Sequence, residues 1–190
     1  MTSWLTIERL RELPPLGGTD EPYLANLAAA ACGAVEEYCK RRFAMESYDQ
    51  ERHDGTGEES LFLRNFPVVS VEAAIVLLAD GGSMELAPPD LEINRSTGEL
   101  RIAAGPGYMS FQKGFQNVTV SYTAGFQVVP EPVVEAAAQL AAWLQESAFS
   151  HEGLAAERIG DYSRTLRGAT SAMWPTAVLT LLAPYRNVRA

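Results

Sequence analysis

Apolar and polar residues follow helical spacing towards both ends of the chain and strand-like alternation in the middle. Leu24, Leu27 and Ala31 recur at intervals of three and four, so they fall on one face of a helix. Val133 and Ala137 begin a similar stripe in the C-terminal half. These patterns predict helices over residues 6–13, 20–43 and 130–149, and a short last helix over residues 175–185.

Between the helices, residues 45–126 carry the alternating pattern of β-strands, interrupted by the turn-forming segments "DGTG", "DGG" and "STG". The segment "DLEINRSTGELRI" predicts a hairpin, with Leu91 and Ile93 in one strand and Leu100 and Ile102 in the other. "GPGYMSFQKGF" predicts an exposed loop. The predicted strands cover residues 45–52, 59–64, 69–78, 90–94, 99–102 and 117–123.

The order of these elements predicts an α+β fold, because helices and strands are segregated along the chain. We expect an antiparallel helical bundle with an inserted antiparallel β region, followed by a C-terminal extended arm plus a short helix. The first domain would span residues 1–154. The arm would span residues 155–190, because residues 154–173 are polar, rich in glycine and without a clear period.

Composition and charge narrow the range of functions. The net charge of −9 argues against broad binding to DNA phosphates, which requires clustered Lys and Arg. No apolar run approaches the ~20 residues that cross a bilayer, and the first residues carry charges where a signal peptide is apolar. We therefore expect a protein made in the cytoplasm with no membrane partner. Cys32 and Cys39 would be reduced thiols on one helix.

Few residues could perform chemistry. His53 and His151 are the two histidines, and neither forms a zinc-spaced pair with a cysteine. The acidic stretch "DQERHDGTGEE" departs from a calcium loop, since Asp54 stands where that pattern needs glycine. The sequence predicts no enzyme, no cofactor and no metal site.

The C-terminal region is locally basic within an acidic chain and contains aromatic residues. Arg and aromatic side chains dominate the energetics of protein interfaces. A solvated tail is the open alternative, and "KRR" at residues 40–42 is read as a favourably charged helix end. The predicted partner interface consists of Tyr162, Arg164, Arg167, Trp174, Tyr185 and Arg186.

Several segments together resemble one family. These are "YLANLAAAACGAVEEYCKRRF", "LRNFPVVSV", "STGELRI" and "VTVSYTAGFQVVPEPVVEAAAQLAA", followed by "ERIGDYSRTL" and "LLAPYR". In this order they resemble the head–tail connector (adaptor) proteins of long-tailed phages, prophages and gene transfer agents. The resemblance covers roughly residues 18–148 and includes no catalytic signature.

The resemblance implies a structural protein of the virion, located at the head–tail interface. Such connectors form a ring, usually a dodecamer, under the portal, extend the DNA channel and dock the stopper or tail. DNA would pass through without sequence-specific binding, and the arm would reach the portal. A stopper or tail-completion protein of the same stack is the alternative, followed by a small cytoplasmic enzyme with an unrecognised site or a partner-binding β module.

The junction between the last strand and the following helix is predicted to be a structural joint. Gly125 would adopt a positive φ, and Pro130 and Pro132 would fix the start of the helix. Tyr122 and Phe126 would be packing residues rather than ligand contacts.

Overall fold

A computed structural model describes residues 3–150, 156–159, 162–165 and 174–187. The chain divides into a helical unit, Met1–Cys39 with Val129–Asn187, and a β unit that includes Lys40–Val128. The helices are α1 (Ile7–Arg11), α2 (Glu21–Cys39), α3 (Glu131–Ser150) and α4 (Thr176–Leu182), with 3-10 turns at Pro14–Leu16, Pro88–Asp90 and Ala183–Tyr185. The strands are β1 (Glu46–Gly55), β2 (Ser60–Phe62), β3 (Val68–Leu77), β4 (Ser83–Leu86), β5 (Leu91–Asn94), β6 (Glu99–Ala104), β7 (Gly107–Met109), β8 (Gly114–Ala124), β9 (Ala156–Ile159) and β10 (Tyr162–Thr165).

In the helical unit, α2 packs against α3, and α3 packs against α4. The apolar stripes that predicted the two long helices are the faces that they bury. Thr6 caps α1 as predicted, because its hydroxyl oxygen accepts a hydrogen bond from the Arg9 backbone N–H at 3.3 Å. The buried side chains of this unit include Leu24, Leu27, Ala31, Val35, Val133, Ala137, Leu140, Val178 and Leu182.

Helix α2 ends at Cys39, four residues before the predicted end at residue 43. Lys40 adopts a φ of 55°, and this left-handed conformation stops a right-handed helix. The basic segment at residues 40–42 therefore lies beyond the helix rather than in its last turn. The two cysteines are free and buried, as expected.

The β unit contains two antiparallel sheets. In the first sheet the strand order is β1-β8-β3-β4. In the second it is β2-β6-β5, with β7 also paired to β6. The predicted hairpin is confirmed in detail, since Leu91 pairs with Ile102 and Ile93 pairs with Leu100.

Sequence patterning missed four short strands, β4, β7, β9 and β10. β7 lies inside the segment that was predicted to be an exposed loop, and Phe111 in the same segment is fully buried. Short strands of three or four residues leave too little alternation for a pattern to detect. The prediction of an exposed loop was therefore wrong for β7 and Phe111, whereas Phe115 in the same segment is exposed, as predicted.

The observed fold is a mixture of helices and antiparallel sheets, which confirms the segregated α+β class at that level. Strands form a larger part of the chain than a helical bundle with an insert suggests. Within the segment predicted as an extended arm, β9 pairs antiparallel with β10, and Tyr162 stands opposite Ile159. No helix among the described residues is both long and apolar enough to span a bilayer.

Candidate functional site

Three of the six predicted interface residues lie next to α4. Trp174 precedes the helix, Tyr185 belongs to the 3-10 turn that follows it, and Arg186 comes directly afterwards. Tyr162 and Arg164 lie on β10. Arg167 lies outside the described residues.

The segment that follows α4 is fastened to the end of α2. Val178 and Leu182 bury one side of α4. The backbone N–H of Asn187 then donates a hydrogen bond of 2.8 Å to the carbonyl oxygen of Cys39. Since the last carbonyls of a helix lack partners within that helix, this bond satisfies one of them. The C-terminal segment therefore has a defined position in the helical unit.

This arrangement brings Trp174 and Arg186 to the same side chain, Tyr38. The rings of Trp174 and Tyr38 lie 5.2 Å apart at 42°, and the Arg186 guanidinium carbon lies 5.4 Å from the Tyr38 ring centroid. Such contacts are typical of aromatic pairing and of a cation over a π face. Arg186 is exposed, whereas Trp174 and Tyr38 are half-buried. The cluster of Tyr38, Trp174 and Arg186, called the C-terminal cluster below, therefore offers an aromatic and cationic surface.

Sequence reasoning did not foresee the position of Arg41 in the β unit. Its side chain is only 7% exposed, and its guanidinium donates a hydrogen bond to the carbonyl oxygen of Phe66. The guanidinium carbon lies 3.8 Å from the Phe66 ring centroid, 5.3 Å from that of Phe43 and 5.6 Å from that of Phe126. A planar cation suits this setting because it can stack on rings while it donates hydrogen bonds. Arg41 is thus a packing residue of the β unit.

The backbone of Gly125 lies next to this packing, directly before Phe126. Gly125 has a φ of 111°, as predicted, and its N–H donates to the carbonyl oxygen of Pro67 at 2.9 Å. A Cβ atom at this position would lie 2.3 Å from the carbonyl oxygen of Ala44. The next N–H, of Phe126, donates to the carbonyl oxygen of Phe43 at 2.8 Å. Glycine is therefore required on two grounds, conformation and space.

Parts of three of the segments that carry the family resemblance meet here. They are the "KRRF" segment directly after α2, the "FPV" start of β3 and the "YTAGF" end of β8. We call the residues at their meeting point, Arg41, Phe43, Phe66, Gly125 and Phe126, the joint. Its contacts are structural, which agrees with the expectation that Phe126 packs rather than binds a ligand.

A buried polar network lies beside the joint. The Tyr122 hydroxyl donates to Glu51 Oε1 at 3.1 Å and accepts from the backbone N–H of Asn65 at 3.4 Å. Glu51 Oε1 also lies 2.8 Å from His53 Nε2, an ion-pair distance. Tyr122 is fully buried and its ring stacks on that of Tyr48 at 5.0 Å, which confirms its predicted packing role.

The two acidic groups of this network shift in opposite directions. Burial, followed by the nearby Glu51 carboxylate, raises the pKa of the Tyr122 hydroxyl well above its usual value. Burial also works to raise the pKa of Glu51, but the His53 imidazole and the Tyr122 hydroxyl outweigh it and lower that pKa. The hydroxyl therefore stays protonated and donates a hydrogen bond to the charged carboxylate of Glu51. This pairing links β1 to β8 within the first sheet.

The described part of the chain holds no group of three His, Cys, Asp or Glu side chains placed to bind a metal ion. An open concavity on the second sheet is lined by Glu92, Glu99, Arg101 and Tyr108. Within it Arg101 pairs with Glu99 at 2.7 Å and Tyr108 donates to Glu92 at 2.7 Å, and Arg95 also lines it.

The joint and the buried network hold the β unit together, and the C-terminal cluster is a surface of a kind that suits contact with another protein. The family model described as "Head completion protein" matches residues 4–188, so the chain belongs to the head completion protein family. It is a structural protein of the virion at the head–tail connection and not an enzyme, as predicted from the sequence.

Solved structures support the fold. A chain from the neck of an empty gene transfer agent particle, computed with C6 symmetry, has a TM-score of 0.64 at 20% identity and covers 98% of this chain and 91% of that one. A chain from the neck of a native particle, computed with C12 symmetry, has a TM-score of 0.53 at 20% identity, covering 100% and 94%. A chain from the virion of the native particle gives 0.54 at 22% identity, covering 98% and 91%. No curated protein matches this chain.

Proposed function

We propose that copies of this protein form a ring under the portal, extend the DNA channel and dock the stopper or tail. The observation that carries the proposal is the family match over residues 4–188. The likeness to chains from necks computed with C6 and C12 symmetry supports a ring, and a dodecamer is the size that we propose. A head-to-tail interface repeated by rotation closes into such a ring when the rotation per subunit divides a full turn.

The two units would have different tasks. We propose that α2 and α3 belong to an antiparallel helical bundle that builds the ring, while the β unit faces the adjoining virion parts. Residues 155–190 would act as an arm that reaches the portal. The exposed Arg186 of the C-terminal cluster supports this assignment, because Arg and aromatic side chains are frequent at the centres of interfaces.

The charge of the helical unit supports unhindered passage of DNA. Helix α2 carries three glutamates and α3 carries three, and neither contains Lys or Arg. A channel wall with this composition repels phosphates, so DNA would slide through without sequence-specific binding. A reconstructed ring with a wall rich in lysine would reject this part of the proposal.

The experiment is to sediment the purified chain with and without purified portal, comparing wild type, Arg186→Glu and the exposed control Arg95→Glu. We expect a monomer or a mixture for the free chain and a ring on the portal, because a symmetric portal presents many sites together. Arg186→Glu should lose portal binding, and Arg95→Glu should retain it. A stable small dimer in both conditions contradicts the proposal, and binding to a preformed connector ring instead of the portal identifies a stopper.

A further inference from the structure

Phe115 is the most exposed large apolar side chain among the described residues, at 83%. It lies at the start of β8, beside the turn that joins β1 to β2. Leu77, at the end of the neighbouring β3, is 51% exposed and adds to the apolar surface at this end of the first sheet. We call residues 54–59 and 111–117 the Phe115 tip.

Hydrogen bonds hold the Phe115 tip in one shape. Gln116 has a φ of 47°, which is uncommon for a residue with a side chain, and its N–H donates to Asp54 Oδ1 at 2.6 Å. Asn117 accepts from the Gly55 N–H at 2.8 Å and donates through Nδ2 to the Gln112 carbonyl oxygen at 2.8 Å. The backbone on both sides of Phe115 is therefore fixed.

Close packing within the Phe115 tip reinforces these hydrogen bonds. Phe111 is fully buried, its N–H donates to Glu58 O at 2.8 Å, and its own carbonyl oxygen accepts from the Gly57 N–H at 3.0 Å. A Cβ atom on Gly55 would lie 1.8 Å from the Gln112 carbonyl oxygen, and one on Gly114 would lie 2.7 Å from Asn117 Cγ. Unusual backbone conformations persist only where their surroundings determine them, and they concentrate at binding surfaces.

A large exposed aromatic side chain on an ordered backbone favours association. Its burial removes apolar surface from water, and little conformational freedom is lost because its backbone is already ordered. Aromatic side chains are also enriched among the residues that dominate binding energy. The Phe115 tip therefore has the properties of an interface anchor.

The rim of the tip identifies the kind of partner. Asp54, Glu58 and Glu59 are exposed on the turn beside Phe115, and Lys113 is the one exposed cation among residues 54–59 and 111–117. An apolar centre with a mostly acidic rim is complementary to an apolar pocket surrounded by Lys or Arg. A second copy of this chain, with its net charge of −9, repels that rim over most of its surface, and its cationic C-terminal cluster is assigned above to the portal.

We propose that the Phe115 tip docks into an apolar, basic-rimmed pocket on a different virion protein, the one that follows this ring towards the tail. This inference rests on the proposed function. It assigns the tail-side contact to Phe115 and the acidic turn, and it leaves ring closure to other surfaces.

The test uses a strain that lacks the gene and is complemented with wild type, Phe115→Ala, or the control Val128→Ala. Val128 is 82% exposed and lies outside the tip, so it matches the loss of an exposed apolar side chain. Heads are purified, the amount of this chain on them is measured, and purified tails are added. The fraction of tailed particles is counted by electron microscopy.

We expect Phe115→Ala to remain on heads at the wild-type level and to weaken tail joining about tenfold or more. Val128→Ala should join tails normally, and the paired change Glu58→Lys with Glu59→Lys should weaken joining in low salt. Normal joining by Phe115→Ala overturns the inference, as does loss of this chain from heads, which would make the tip a ring or portal contact. If the strain without the gene joins tails normally, the proposed function itself fails.

Discussion

The helical unit and the β unit differ in which polar side chains they bury. In the helical unit, Arg9 forms ion pairs with Glu12 and Glu135 at 2.7 and 2.6 Å, and its side chain remains 35% exposed. In the β unit, Arg41 and His53 are buried among aromatic rings and sheet residues. The first unit holds together through an apolar stripe with charges at its edge, whereas the second uses buried polar contacts to select which segments meet.

This difference follows from how each unit brings its segments together. Apolar burial is strong but has no preferred direction, and two helices with matching stripes need little else to pack. The joint must bring together segments that lie far apart in the sequence, around residues 41–43, 66–67 and 125–126. Hydrogen bonds and stacked rings have defined geometry, so they can fix this meeting point. We therefore expect single substitutions to be most damaging at the joint.

The largest effect is expected for Gly125→Ala. The new Cβ would lie 2.3 Å from the Ala44 carbonyl oxygen in a backbone conformation that disfavours side chains. The two penalties together should lower the free energy of unfolding by at least about 3 kcal/mol. Thermal unfolding followed by circular dichroism measures this change.

Gly33→Ala in α2 is the matched control from the helical unit. A Cβ at Gly33 finds no atom within 4 Å, and alanine favours helix over glycine by roughly 1 kcal/mol. Its melting temperature should stay the same or rise. Equal losses at both glycines would contradict the comparison between the two units.

A smaller but distinct loss is expected for Arg41→Met. Methionine keeps apolar volume but removes the stacked cation and the hydrogen bond to the Phe66 carbonyl oxygen. We expect a loss of about 2 kcal/mol in urea unfolding. Arg41→Lys should also destabilise the protein, because an ammonium group cannot stack as a plane. The control Lys113→Met replaces an exposed cation and should change stability by less than about 0.5 kcal/mol. A loss as large as that of Arg41→Met would show that removing any cation destabilises the protein.

Sequence patterning was most successful where one short segment contains its own signal. The helical stripes, the Thr6 cap and the hairpin at residues 91–102 all depend on neighbours within a dozen residues. The positive φ of Gly125 was also predictable, because a glycine that ends a strand next to turn residues readily adopts that conformation. Local rules of this kind require no knowledge of the tertiary fold.

The joint and the Phe115 tip were not predictable, for physical reasons. Arg41 in the sequence resembles any cation near a helix end, and its burial depends on rings that come from two distant segments. The sequence predicted that Phe115 lies in an exposed loop, but not that it belongs to β8 or that the following residue, Gln116, has a positive φ. At the C-terminus, the sequence predicted an interface from its Arg and aromatic residues. It did not predict that Trp174 and Arg186 both contact Tyr38.

The smallest expected effect concerns acid and the buried network. The pKa of Glu51 is lower in the folded chain than its unfolded value of about 4.3, so the folded state binds this proton less readily. The charged carboxylate therefore contributes stability above a pH of about 4.3, and this contribution is lost as pH falls through the folded pKa. Glu51→Gln should lower the free energy of unfolding by about 1 kcal/mol near pH 7, and the gap from wild type should close in acid. Urea unfolding at neutral and acidic pH measures the gap, with the exposed Glu85→Gln as control. A gap that stays constant or widens in acid would mean that the Tyr122–Glu51 contact stabilises the β unit through packing rather than through charge.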